Sequence, residues 1–327
     1  MSVRRDMSGG ACVGAVITAF NPDHQLLEAC RSVMHQVDAT VVVDDGSGAP
    51  NEAVLDMCRE LGAVVSRHTT NQGIGAALNT GVRVARERLG GSGTYILTLD
   101  QDSLVPAGYV DALVAAERAA TSAGQSVGMV GPERAQGIRS AAARSVGGIL
   151  HSREPIQSGL LIPTATFDAI GVFADNLFID GVDSEFFLRA TTRGRSAIVA
   201  RGAKLGHHLG REHVVSVGGR PLALGARRLS LVHAADYRYY YIARNRVILL
   251  RRYARTAPAW SISAVLRDLR HLAVTTAFVP GRWNRLSNTV VGLRDGLRGI
   301  DGPRPGADRS CAAPGQLRRR RPRHTVP

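Results

Sequence analysis

The feature that most constrains this chain is a unit repeated through its first hundred residues: a continuous apolar run, a polar turn, then a segment of helical period. VGAVITAF (13–20) reads as a fully buried strand. Asn21-Pro22-Asp23 then opens a helix with Leu26, Leu27, Cys30, Val33, Met34 and Val37 at helical spacing. TVVVDDGS (40–47) is a second strand ending in two acids and a turn. A helix with Val54, Leu55, Cys58 and Leu61 on one face follows, then the short strand AVVS. NQGIGAALNTGVRVARERLG (71–90) is a glycine-rich turn running into a helix, and YILTLD (95–100) is a further strand. Strands without polar alternation are covered on both faces, and strands joined by helices at this spacing run parallel. The expected fold is therefore α/β, a mainly parallel central sheet flanked by helices. In such sheets ligands bind at the carboxyl ends of the strands. Thr18 to Asn21, Asp44-Asp45 and Asp100-Asp102 all fall there.

The second half is less regular. VGGIL and QSGLLIP read as strands, DGVDSEFFLRATTRG (180–194) as a helix preceded by acids, and DYRYYYIARNRVILLRRYAR (236–255) as a helix. Beyond about residue 300 the chain is rich in Pro, Gly and Arg and is expected to be disordered. Charge divides the chain the same way. Residues 1–200 hold 16 basic against 21 acidic side chains, residues 201–327 hold 25 against 6, and the whole carries +14. A basic half of that size calls for nucleic acid, an anionic membrane surface or a diphosphate-bearing substrate as partner. The run from Arg318 to Arg323 lacks a folded reader or interleaved aromatics, so nucleic acid is set aside. The four cysteines (Cys12, Cys30, Cys58, Cys311) form no CxxC pair, which argues against a zinc module or disulfide framework and for a reducing compartment. No signal-like run precedes the first strand. The most apolar later stretch, near 260–280, is broken by Arg267, Asp268, Arg270 and His271.

Three clusters carry chemistry. The GIG at 73–75 departs from a dinucleotide fingerprint, because Leu78 stands where Gly or Ala is needed and the turn follows the third strand, not the first. A turn letting backbone approach a phosphate or base at a helix N-terminus is the milder reading. Asp100 and Asp102 flank Gln101, so in an extended segment both carboxylates can point one way. Such a pair suits Mg²⁺ or Mn²⁺ completed by substrate phosphates, although a D-x-D at a strand end is weak evidence alone. Asp180, Asp183 and Glu185 either serve a reaction or supply first-turn charge to a helix. Arg244 and Arg246 read equally well as a solvated face, and His207 and His208 as ordinary polar residues.

Taken in order, ITAFNP, VVDDGS, NQGIGAALNTG, LTLDQDS, SGLLIP, FIDGVDSEFFLRA, HHLG and RYYYIARNRVILLRRY resemble the inverting family 2 glycosyltransferases of GT-A fold, in particular the bacterial dTDP-rhamnosyltransferase branch. The resemblance spans roughly residues 13–255. It implies that Thr18, Phe20, Asn21, Asp44 and Asp45 hold the nucleoside, Asp45 ahead of Asp44, with Asn71 and Gly73 on the same side. Asp100 and Asp102 match the D-x-D that binds a divalent cation and the donor diphosphate. Asp183 aligns with the catalytic base, Glu185 with a supporting acid, and His207 with a further metal or diphosphate contact. The implied domains are a flexible 1–12, a catalytic 13–228 (nucleotide half 13–103, acceptor half 104–228), a basic helical extension 229–299 and a disordered tail 300–327. The implied donor is dTDP-rhamnose, with another UDP-sugar transferase or a non-catalytic binding module as alternatives. The implied acceptor is a glycan or polyprenyl-diphosphate-linked sugar at the inner face of the cell membrane, where an arginine-rich amphipathic helix can lie on anionic lipid.

Overall fold

The computed structural model describes residues 11–304, apart from 91–92, 136–137, 140–141 and a scatter of positions between 208 and 229. The first ten residues and the tail from 305, expected above to be disordered, lie outside the described residues. The repeated unit folds as the periodicity predicts: β1 (Val13–Ala19), α1 (His24–Val33), β2 (Ala39–Asp44), α2 (Glu52–Glu60), β3 (Val64–Arg67), α3 (Ile74–Leu89) and β4 (Tyr95–Asp100). All contacts among these four strands are parallel, β1 lying between β2 and β4 and β2 pairing β3. Residues alternate between two cores. Ala15, Ile17, Val42, Leu97 and Leu99 face α1 and α2, while Val16, Val41, Val43 and Ile96 face α3. Each is fully buried, and burial of one such aliphatic side chain contributes about 1.5–3 kcal/mol.

Beyond β4 come β5 (Ser103–Leu104), α4 (Tyr109–Ser122), β6 (Val127–Ala135), β7 (Ile138–Arg139), β8 (Ala142–Val146), β9 (Ile149–Ser152), β10 (Leu160–Pro163), α5 (Thr164–Ile170), α6 (Val182–Thr192) and β11 (Ser196–His207). The sheet runs β3-β2-β1-β4-β10-β6-β11-β9-β8. It is parallel at its heart, with β10 inserted antiparallel between β4 and β6. That inversion brings the start of β10 to the carboxyl edge, so Ser158, two residues ahead, meets the end of β4.

Three helices close the described chain: α7 (Arg238–Tyr253), α8 (Pro258–Phe278) and α9 (Arg282–Leu297). α7 and α9 approach closely because Gly292 and Gly296 present no side chain; a Cβ on Gly292 would lie 2.2 Å from the Tyr240 carbonyl oxygen. Ile248 and Leu249 of α7 join the core under α3 and α6. This helix, placed in the sequence reading within the 229–299 extension, thus packs into the core of the preceding α/β body. Among the described residues no helix is long and apolar enough to cross a membrane.

Candidate active site

Register alone assembles the floor of the site. Thr18 pairs Val43 on one side and Asp100 on the other, and Ala19 pairs Asp44. Three strand ends therefore meet at one edge, above which opens a cleft of about 750 Å³. Thr18, Phe20, Asp45, Asn71, Gly73, Asp100, Asp102 and Asp183 all line it.

Asp45 fixes one wall of the cleft. Its carboxylate accepts the Gln72 and Gly73 amides (2.9 and 2.8 Å) and pairs with His68 Nδ1 (2.7 Å). Gly73 has φ +92° and leaves no room for a Cβ, which would stand 2.4 Å from the Phe178 carbonyl oxygen. Its amide also donates to Asn71 Oδ1, and the Ile74 amide donates to Phe178 O. The glycine turn consequently spends its amides on Asp45, Asn71 and the 178 carbonyl. It builds a wall of the cleft.

Gln101 accepts the Phe20 amide (2.8 Å), and Ser158 Oγ accepts the Asp100 amide (3.1 Å), so the turn carrying Asp100 and Asp102 is fixed from both sides. Burial first, then the charges of Asp102 and Asp183, push the Asp100 carboxyl up to about 7; Arg238 opposes them. Asp183 stands in the first turn of α6 and accepts the Ser184 amide (2.8 Å). Burial, reinforced by Glu154 and Asp180, raises it to about 6. Arg238, from α7, forks onto Asp180 and is held above its usual value mainly by that charge, with Asp100 adding to it.

Three sequence-derived candidates fall elsewhere. Asp44 is fully buried beside Arg67 (2.8 Å) and the Ser47 hydroxyl; neighbouring residues of a strand face opposite ways, so only Asp45 reaches the cleft. Glu185 lies two positions from Asp183 on a helix, about 200° round the axis, and is spent on Arg189 (2.8 Å) and Tyr253 (2.8 Å). A role for it in the reaction is corrected to an anchor between α6 and α7. Asn21 does not line the cleft; its amide donates to Ser47 Oγ and its φ is +48°. The backbone of His207 pairs Ser103, one residue from Asp102, but the His207 side chain and all of His208 lie outside the described residues.

Residues the sequence reading missed come from the C-terminal helices. Arg238, Tyr237, His233 and His271 line the cleft. Arg244, read above as a candidate solvated residue, is fully buried and donates to Leu177 O (2.9 Å). Asn245 donates to the carbonyls of Leu177, Ile179 and Asp180 (2.9, 2.8 and 2.6 Å). Together they hold a loop in which Phe178 and Asp180 take positive φ (65° and 64°). Among the described residues no three His, Cys, Asp or Glu side chains form a preformed metal cage. Two cleft carboxylates awaiting phosphate oxygens are nonetheless a normal Mg²⁺ or Mn²⁺ donor set.

A mainly parallel sheet with polar strand ends, an antiparallel insert and helices on both faces is the architecture of the GT-A fold. Residues 15–154 match the family described as Glycosyl transferase family 2. The match takes in Asp100 and Asp102 and ends before Asp183. The dTDP-rhamnosyl transferase RfbF of Shigella flexneri is 24% identical over 308 residues, covering 88% of this chain and 96% of that protein. Among solved structures, S. aureus TarS 1-349 in complex with UDP-GlcNAc superposes with TM-score 0.53 at 15% identity, over 88% of this chain and 81% of its own. GalNAc-T7 with UDP, GalNAc and Mn²⁺ gives 0.50 at 15% identity over 68% of this chain; the alignment spans 48% of that protein's chain.

Proposed function

We propose that this chain is a metal-dependent inverting glycosyltransferase that moves L-rhamnose from dTDP-rhamnose to a lipid-linked or cell-surface glycan, working at the inner face of the cell membrane. The observation that carries the reading is the separation of Asp183, on α6, from Asp100 and Asp102, at the end of β4, within one cleft. A single displacement at an anomeric carbon needs a carboxylate on the acceptor side and neutralising charge on the leaving diphosphate. Asp183 is the base: it takes the proton of the acceptor hydroxyl as that oxygen bonds to the anomeric carbon and the bond to the diphosphate breaks. Asp100 and Asp102 are the residues that would hold Mg²⁺ or Mn²⁺. The fit is electrostatic: burial first, then the charges of Asp102 and Asp183, push the Asp100 carboxyl up to about 7, a strain a cation would relieve. Bound there, the cation supplies positive charge to the diphosphate. Arg238 adds a fixed positive charge beside the same group, and Asp45, Asn71, Thr18 and Phe20 enclose the nucleoside.

The donor assignment is supported by the Shigella flexneri relative, which aligns over nearly its whole length. A UDP-sugar donor is the second reading, favoured by the nucleotides named with the two structural neighbours. A thermal-shift screen of dTDP-, UDP- and GDP-sugars with Mn²⁺ separates them: dTDP-rhamnose gives the largest shift if the first holds. Donor hydrolysis tests turnover itself. Activity that is equal in the native chain and Asp183→Asn removes the base assignment, and no turnover with any donor favours a non-catalytic nucleotide-sugar-binding module.

A further inference from the structure

We propose that the outward faces of α8 and α9 form a docking surface for an anionic phospholipid bilayer. On α8, Ala259, Ile262, Leu266, Leu269, Ala273 and Ala277 recur at intervals of three and four and all face solvent. On α9, Trp283, Val290, Leu293 and Leu297 repeat the pattern, with Trp283 77% exposed. Two consecutive helices packed on one another that both leave an apolar stripe uncovered mark an interaction surface. The stripes are too interrupted to span a bilayer, because Arg267, Asp268 and Arg270 fall inside α8. An amphipathic helix of this kind lies in the interface, where a tryptophan is favoured at headgroup level.

Charge selects the occupant. Residues 258–300 carry six arginines and two aspartates. Both aspartates are engaged: Asp268 with Arg246, and Asp295 with Arg294 and Tyr240. The charge left beside the stripes is arginine, notably Arg270, Arg282 and Arg298, all exposed. A second copy would set arginine against arginine. The segment 305–327, DRSC…QLRRRRPRHTVP in its core, has no apolar run to cover the stripes and carries the same sign. An anionic lipid surface satisfies both demands, each nearby basic side chain adding about 1 kcal/mol of attraction. The same helix reaches the site: His271 lines the cleft, and Arg267 pairs with Glu154, which also accepts the hydroxyl of Ser184 beside Asp183. Docking through α8 therefore sets the cleft against the membrane, and in purpose, though not in geometry, the inference rests on the lipid-linked acceptor proposed above.

The test uses the full chain with vesicles of phosphatidylcholine alone and of phosphatidylcholine mixed with phosphatidylglycerol. Expected are co-sedimentation with the anionic vesicles only, a blue shift of tryptophan emission on binding, and weakening by salt. The double variant Leu266→Ser/Leu269→Ser should lose sedimentation about tenfold or more, while its circular dichroism and its donor hydrolysis in solution stay unchanged. No sedimentation with anionic vesicles overturns the proposal. Equal sedimentation of the double variant also overturns it, assigning binding to the basic tail. So does concentration-dependent dimerisation abolished by the same substitutions, which would make a second copy the occupant. Vesicle binding needs no donor, so its failure leaves the transferase reading intact, and the converse holds.

Discussion

Replacing Asp100 by Asn should stabilise the metal-free protein, and the size of the effect follows from its surroundings. In the native cleft this carboxyl keeps its proton to about pH 7, against an ordinary 3.8, because burial and the charges of Asp102 and Asp183 oppose ionisation. The native state thus binds more protons than the unfolded chain between these values, and its stability falls as pH rises through that window. About three pH units at 1.36 kcal/mol each set an upper bound of about 4 kcal/mol. Solvent reaches the cleft and part of the cost is shared with Asp183, so about 2 kcal/mol is expected at pH 8. For a chain of this size that raises Tm by about 4 °C. The assay is thermal unfolding in EDTA from pH 4 to 8. The gap between Asp100→Asn and the native chain should be near zero at pH 4 and reach its plateau above pH 7. Adding Mn²⁺ and dTDP at about a hundred times their dissociation constant stabilises the native chain by about 2.7 kcal/mol, but not the variant, and inverts the order. A gap independent of pH, or a variant less stable at pH 8 in EDTA, would refute the electrostatic account of this site.

Asp183→Asn should lower turnover by about 10²–10⁴-fold with donor affinity unchanged by calorimetry; in the native chain the acid limb of kcat/KM should fall near pH 6, where Asp183 takes up its proton. Asp102→Asn should abolish the cation dependence of nucleotide binding, and unchanged calorimetric binding with and without Mn²⁺ would count against it. Gly73→Ala puts a Cβ against the Phe178 backbone at φ +92°; a loss of about 1–3 kcal/mol and weaker nucleotide binding are expected from denaturation and titration. Asn245→Ala removes the amide whose two hydrogens are shared among the Leu177, Ile179 and Asp180 carbonyls, of which Leu177 O keeps Arg244; it should destabilise by about 2–3 kcal/mol and cut kcat more than it raises KM.

The half of this cleft built on the ends of β1, β2 and β4 is legible because its chemistry is local. Buried parallel strands announce themselves as unbroken apolar runs, and the residues just past their ends share an edge whatever the loops do. Thr18, Asp45, Asn71, Gly73, Asp100 and Asp102 were all readable that way. The errors are errors of rotation. Asp44 beside Asp45 and Glu185 near Asp183 look equivalent in one dimension, yet a strand turns about 180° per residue and a helix 100°, so one member of each pair points away. His207 shows a different case: the β5–β11 pairing brings its backbone next to the D-x-D turn from more than a hundred residues away, a proximity that neither segment encodes alone.

What the sequence concealed most fully is the dependence of Asp183, the proposed base, on α7. Asp183 sits at the head of α6 only because residues 177–181 turn sharply before it, with two non-glycine residues in the left-handed region. Such conformations cost of order 1–3 kcal/mol each and persist only where surrounding bonds over-determine them. Asn245 supplies three of those bonds and Arg244 a fourth, while Arg238 neutralises Asp180 at the end of the loop. In the sequence these are three polar residues in a helix rich in Arg and Tyr, indistinguishable from a solvated face. In the fold Arg244 and Asn245 are buried and Arg238 lines the cleft. The helix that looked like an appendage to the catalytic domain therefore shapes its centre. A truncation before residue 238 should accordingly lose the geometry of Asp183 and loosen the Phe178 contact to the Gly73 turn, while the parallel pairing of β1–β4 stays.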